Sequence, residues 1–165
     1  MRKYFGGSAL EPEHPALTES RARGPIAIPR SKRRLSAEQL SALSSSFEEM
    51  EKLCESPIEH QFGMAAAAAL LGSGLRIASQ YQLFGYRYDF AILHPRLNQV
   101  LALVECDGRE FHSTPEQLAN DRKKDAAAKS IGAFVVRYSG SAITRNAKDC
   151  AENLLGILHK QWRIL

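Results

Sequence analysis

The sequence is poor in the features that mark several large protein classes. Its three cysteines, Cys54, Cys106 and Cys150, are odd in number and form no C-x-x-C pair. That argues against a disulfide scaffold and against a cysteine-ligated zinc site, and points to a reducing compartment. No apolar run follows the basic pair of the opening MRKYFGGSALEPEHP, so a secretory signal is not expected. The most apolar window, MAAAAALLGSGL, is too short and too rich in alanine and glycine to span a bilayer. The single tryptophan, Trp162, has no second aromatic beside it to build a base-stacking platform. His14, His94 and His159 have no usable ligand spacing. There are no internal repeats. The expectation is a soluble, cytoplasmic chain of 165 residues, long enough for one core.

What is present is unevenly placed charge. The formal net charge is +4. Residues 21–34, RARGPIAIPRSKRR, carry Arg30, Lys32, Arg33 and Arg34 with no acid among them. An arm of this kind commonly tracks a phosphate backbone, and it equally suits a solvated tail that keeps the protein soluble. Residues 1–34 lack periodicity and read as a flexible basic arm, with an α/β domain over 35–165.

From Ser36 the pattern becomes regular. Ser36 with Gln39 forms a helix-start signature, and Leu40, Leu43, Phe47, Met50 and Leu53 follow at helical spacing. A second helix opens at Ser56-Pro57 with Glu59 in its first turn; Ile58, Phe62, Ala65, Ala66 and Ala69 can line its buried face, and Gly72 and Gly74 end it. Three strand-like runs occupy roughly 75–83, 86–93 and 99–106, the last two joined by a hairpin connection at 94–98. Pro115 opens a helix that ends at Gly132, AFVVRY (133–138) is a short strand, and a last helix runs from about 141 or 147 to 162. The order predicts an α/β fold: a small mixed sheet flanked by helices, with the final strand parallel to its predecessor.

Two of these strands carry acids. Asp89 lies between Tyr88 and Phe90, and Glu105 between Val104 and Cys106. A hairpin centred near residue 97 sets 89 opposite 105, with side chains about 5 Å apart. Two carboxylates so placed repel, and burying them unpaired costs several kcal/mol. A hard divalent cation removes that penalty. Pairing with Arg87 or Arg137 would remove it too. A one-residue slip would part the two side chains altogether.

SPIE (56–59), Gln80 with YRYDF (86–90), VECDGREFH (104–112), DRKKD (121–125) and GAFVVRYS (132–139) occur in an order and spacing that resemble the PD-(D/E)XK nuclease superfamily. The closer likeness is to the domain-of-unknown-function 559 group, related to the very-short-patch repair endonucleases, and it covers about residues 56–143. The resemblance implies a restriction-endonuclease-like core and a metal-dependent DNA endonuclease that uses Mg²⁺, with Mn²⁺ as a substitute. It implies Asp89 as the main metal ligand, Glu105 as the second, the main-chain carbonyl of Cys106 as a third, and Glu59 reaching in from its helix. Gln80 would lie near the site and His112 near the scissile phosphate. Asp107 stands where the superfamily motif has lysine, and it is included among the catalytic positions as a trait shared with the 559 group. Lys123, Lys124, Arg122 or His112 are candidates for the cation that lysine would supply. Arg122 and Lys124 are also candidate DNA contacts. The alternative function is a catalytically impaired nuclease fold that binds DNA or recruits another enzyme. No reader motif is recognisable, so target choice would come from a partner protein or a homodimer. A third possibility is a module without nucleic acid, whose acids are structural ion-pair partners.

Overall fold

A computed structural model describes residues 35–107 and 114–162, and all that follows concerns these. The expected basic arm and His112 lie outside them. The elements are α1 (Ala37–Leu53), α2 (Pro57–Leu70), β1 (Arg76–Leu83), β2 (Tyr86–His94), β3 (Gln99–Asp107), α3 (Pro115–Ser130), β4 (Phe134–Ser139) and α4 (Gly140–Trp162). The four strands form one sheet in the order β1-β2-β3-β4, antiparallel except for the parallel β3–β4 pair. This is the mixed sheet with flanking helices that the sequence predicts.

Local chemistry explains the boundaries. Ser36 and Gln39 make a reciprocal capping box at α1, and Thr114 and Gln117 make another at α3. Ser56 caps α2 with Pro57 in its first turn. The β2–β3 connection is a tight 3-10 turn over Pro95–Leu97, closed by Asn98 at φ 46°. α4 is two helices merged across a kink at Asn146, whose side-chain Oδ1 accepts from Asp149 N at 3.3 Å. Both starts read from the sequence, near 141 and at 147, therefore exist.

The sheet separates two apolar layers. α2 and α4 pack on one face, with Phe62, Phe90, Ile92, Val104, Tyr138 and Leu154 among the buried residues. α3 lies on the other, over Tyr88, Ala91, Leu103, Ala128 and Ala133. The apolar stripe of α2 is Phe62, Gly63, Ala66, Ala67 and Leu70, rotated from the expected face so that Ile58, Ala65 and Ala69 are only partly buried. Glu59 sits one turn ahead on the same stripe, and is buried with it. On α1 only Met50 is fully buried; Leu40 is 53% and Leu53 43% exposed, and the helix packs mainly on α2 and β1.

Candidate active site

The hairpin register is the one the sequence suggests near the site. Phe90 pairs with Val104 and Ala91 with Leu103, and the same register extended by one residue sets Asp89 opposite Glu105. The ladder stops one step short. Instead of a main-chain partner, Cys106 N donates to Asp89 Oδ2 at 2.6 Å. A bulge at Ile92/Leu93, with Leu101 as the extra residue, absorbs a slip at the far end and leaves the site unshifted.

The strands also turn over here. Tyr88 packs in the α3 layer, yet Phe90, two residues on, packs in the α2/α4 layer. A regular strand would put both on one face. Opposite, β1 makes the same change between Ile77 and Tyr81. Gln80, in that interval, holds a left-handed φ of 50°. Strained positions of this kind cluster at functional sites. Asp89 lies at this reversal, and its carboxylate reaches the Cys106 N–H of β3.

Glu59 arrives from the first turn of α2. Its Oε1 accepts from Ser56 Oγ at 2.7 Å, and its Oε2 from Glu55 N at 3.0 Å and Gln80 Nε2 at 2.9 Å. The capping serine and strained glutamine therefore fix its direction. Gln80 Oε1 is buried with no hydrogen-bond partner.

Glu105 is neutralised from within the chain. Arg137, its register partner on β4, donates from Nε to Oε2 at 3.1 Å and from Nη2 to Asp125 Oδ1 at 2.7 Å. Lys124 Nζ donates to Glu105 Oε1 and lies 5.2 Å from the centre of the Tyr88 ring. The expected ion-pair role of Arg137 is thus present on Glu105. Arg87 makes a two-pronged pair with exposed Glu55 instead of with either strand acid.

Asp89 has no ion-pair partner among the described residues. Burial pushes its carboxyl up to about 6; the Cys106 N–H opposes this, while Glu59 and Glu105 add to it. Burial beside Glu59 and Asp89 similarly pushes the Cys54 thiol up to about 11, so it stays protonated at neutral pH. Cys150 lies within the core and Cys54 packs against it.

Asp107, at the end of β3, is exposed and aligned with Ser139 of β4. Arg122 is exposed on α3, as is Lys123; of the lysine–arginine run only Lys124 turns inward to Glu105. One acid missed in the sequence is Glu49 of α1, which accepts from Ser79 N at 3.0 Å. It lies in an EEMEK run where three of five residues are acidic, and nothing in that pattern marks which acid turns to the sheet.

Among the described residues no three His, Cys, Asp or Glu side chains are already gathered as a metal-ligating group. The donor chemistry nonetheless fits a hard cation. Asp89, Glu105 and Glu59 offer carboxylate oxygens, and among the described residues Asp89 lacks a cationic partner and the buried amide oxygen of Gln80, whose Nε2 holds Glu59, lacks a hydrogen bond.

A mixed four-stranded sheet between helices, with acids on its two middle strands, is consistent with a restriction-endonuclease-like fold. The family model REase_MTES_1575 matches residues 62–158, well over half of the chain, and the protein belongs to this restriction endonuclease-like family of the PD-(D/E)XK type. The match holds Asp89, Glu105, Lys124 and Arg137 and begins after Glu59. No curated protein and no solved structure matches the chain.

Proposed function

We propose that the chain is a metal-dependent endonuclease that hydrolyses phosphodiester bonds in DNA, with Mg²⁺ as the working ion and Mn²⁺ as a substitute. The observation that carries this reading is Asp89: a half-buried carboxylate without a cationic partner among the described residues, crowded by two others. Its family supports a nuclease.

Asp89 and Glu105 would hold the ion, with the Cys106 carbonyl and Glu59 completing the set. Bound there, the ion supplies a Lewis acid for the phosphoryl oxygen and lowers the pKa of a bound water. The remaining work falls to the chain. Ser56 and Gln80 orient Glu59, and the Cys106 N–H orients Asp89. Arg137 holds Glu105 in place. Asp107 and His112 would face the reacting phosphate. Arg122, with Arg30, Lys32, Arg33 and Arg34 of the arm, would bind the DNA backbone without sequence choice, leaving target selection to a partner protein or a second copy.

A second reading has one observation in its favour: Glu105 is already neutralised by two cations, and Asp107 stands where a motif lysine would be. The fold would then bind DNA without cutting it. A plasmid assay separates the two. Supercoiled DNA is incubated with the protein in EDTA, Mg²⁺ or Mn²⁺, beside Asp89→Asn. Nicking that needs the metal and disappears in the variant is the expected result. Retardation of DNA by both proteins, with no cleavage in any metal, would establish the binding-only reading.

A further inference from the structure

The two cations on Glu105 are held in different ways. Arg137 is fixed at both ends, by Glu105 Oε2 at 3.1 Å and Asp125 Oδ1 at 2.7 Å, and its main chain is the register neighbour of Glu105. Lys124 has Glu105 Oε1 as its one carboxylate contact among the described residues. Its other neighbour is the Tyr88 ring, 5.2 Å away. An ammonium on a four-carbon stem changes direction readily, where a clamped guanidinium does not. The main chain of Lys124 is tied separately, since its carbonyl accepts from Tyr88 Oη at 2.9 Å. The side chain can therefore swing without moving α3.

A divalent cation at Asp89 and Glu105 needs an oxygen of Glu105. Oε2 faces the immobile arginine, so Oε1 is the oxygen that can be vacated. An ammonium and a dication competing for one oxygen repel each other strongly in a site where Glu105 is only 8% exposed. We propose that Lys124 and the divalent ion are alternative occupants of Glu105 Oε1, so that binding of the metal releases the lysine into the site. The inference rests on the nuclease reading above. It also selects, among the cations of the α3 run, the one that can take up the position left empty by Asp107: the released ammonium stays within a side chain's length of Glu105, and it becomes free only when metal is present.

The test is a Mn²⁺ titration of the full chain, followed calorimetrically, for the natural protein, Lys124→Gln, Lys123→Gln and Asp89→Asn. Lys123→Gln makes the same charge change one residue away on an exposed side chain. The expected result is that Lys124→Gln binds Mn²⁺ about tenfold more tightly, that Lys123→Gln stays within about twofold, and that Asp89→Asn loses at least tenfold. Unchanged or weaker binding by Lys124→Gln overturns the exchange while Asp89→Asn still reports the metal site. An equal gain in Lys123→Gln overturns it too, since general charge would then suffice. Binding that Asp89→Asn leaves intact rejects the nuclease reading itself. If Lys124→Gln does not fold, the lysine ¹⁵Nζ resonances of the natural protein decide. On adding Mg²⁺ the ion-paired Lys124 ammonium must shift and exchange faster; an unmoved signal at saturating Mg²⁺ overturns the proposal.

Discussion

Gln80 and Asp89 face each other across β1 and β2 between two paired steps, Ser79–Phe90 and Tyr81–Tyr88. At this step both strands exchange the layer they pack against, and Gln80 takes up a left-handed backbone. One irregularity thus serves two acids: it turns Asp89 toward Cys106 N and brings the Gln80 amide to Glu59.

Asp89→Asn should stabilise the metal-free protein at neutral pH. The folded-state pKa of Asp89, about 6, lies above its ordinary 3.8. Its contribution is therefore complete below pH 4 and lost as pH rises through 6. Asparagine keeps an oxygen for Cys106 N and cannot ionise. Discounted for partial exposure, the gain at pH 7 is on the order of 1–2 kcal/mol, vanishing at pH 4. Urea denaturation at the two pH values checks it. Were Asp89 a structural ion-pair partner, the same change would destabilise at pH 7.

Glu105→Ala should do the reverse. It leaves Lys124 and Arg137, with side chains 17% and 26% exposed, without their shared carboxylate. A loss of about 3 kcal/mol is expected by chemical denaturation. Lost cleavage in this variant would confuse chemistry with folding, and Asp89→Asn is the sharper probe of the reaction.

The two-residue turn Phe84-Gly85 has both φ values positive, 49° and 80°. Phe84 is 68% exposed, so little packing offsets the strain of an aromatic residue there. Phe84→Asn creates the Asn-Gly pair such a hairpin prefers and should stabilise by about 1 kcal/mol, read as a rise in melting temperature.

Gly63 lies where α2 approaches Phe90 and Met50. A Cβ there would come within 3.0 Å of the Phe90 ring and 2.8 Å of Met50 Sδ. Gly63→Ala should cost about 1–2 kcal/mol despite the better helix propensity of alanine, and a Met50→Ala background should reduce that cost.

Much of this was legible in the sequence. The order of elements followed from capping residues, proline positions and apolar spacing, and the parallel β3–β4 pair from the crossover helix between them. The hairpin register near Asp89 and Glu105 followed from the turn at 94–98. What was hidden was the reversal of face at Gln80 and Asp89. Glutamine carries no left-handed preference to announce it, and strict alternation would have kept Tyr88 and Phe90 on one face. The choice of Lys124 over Arg122 and Lys123 was equally hidden, because it depends on how α3 is rolled upon the sheet. A helix with a single buried residue, Ala128, gives no apolar stripe from which to read that roll.

That same sparseness has a consequence for motion. α3 is fastened to the sheet largely by polar bonds: Tyr88 Oη to the Lys124 carbonyl, Lys124 to Glu105, and Asp125 to Arg137. Apolar cohesion is not weakened by ionic screening, whereas charged fastenings are. The amide protons of α3 should therefore exchange with deuterium sooner than those of α2 and α4, and sooner still as ionic strength rises. The helix is held, in effect, by the same charges that surround Glu105.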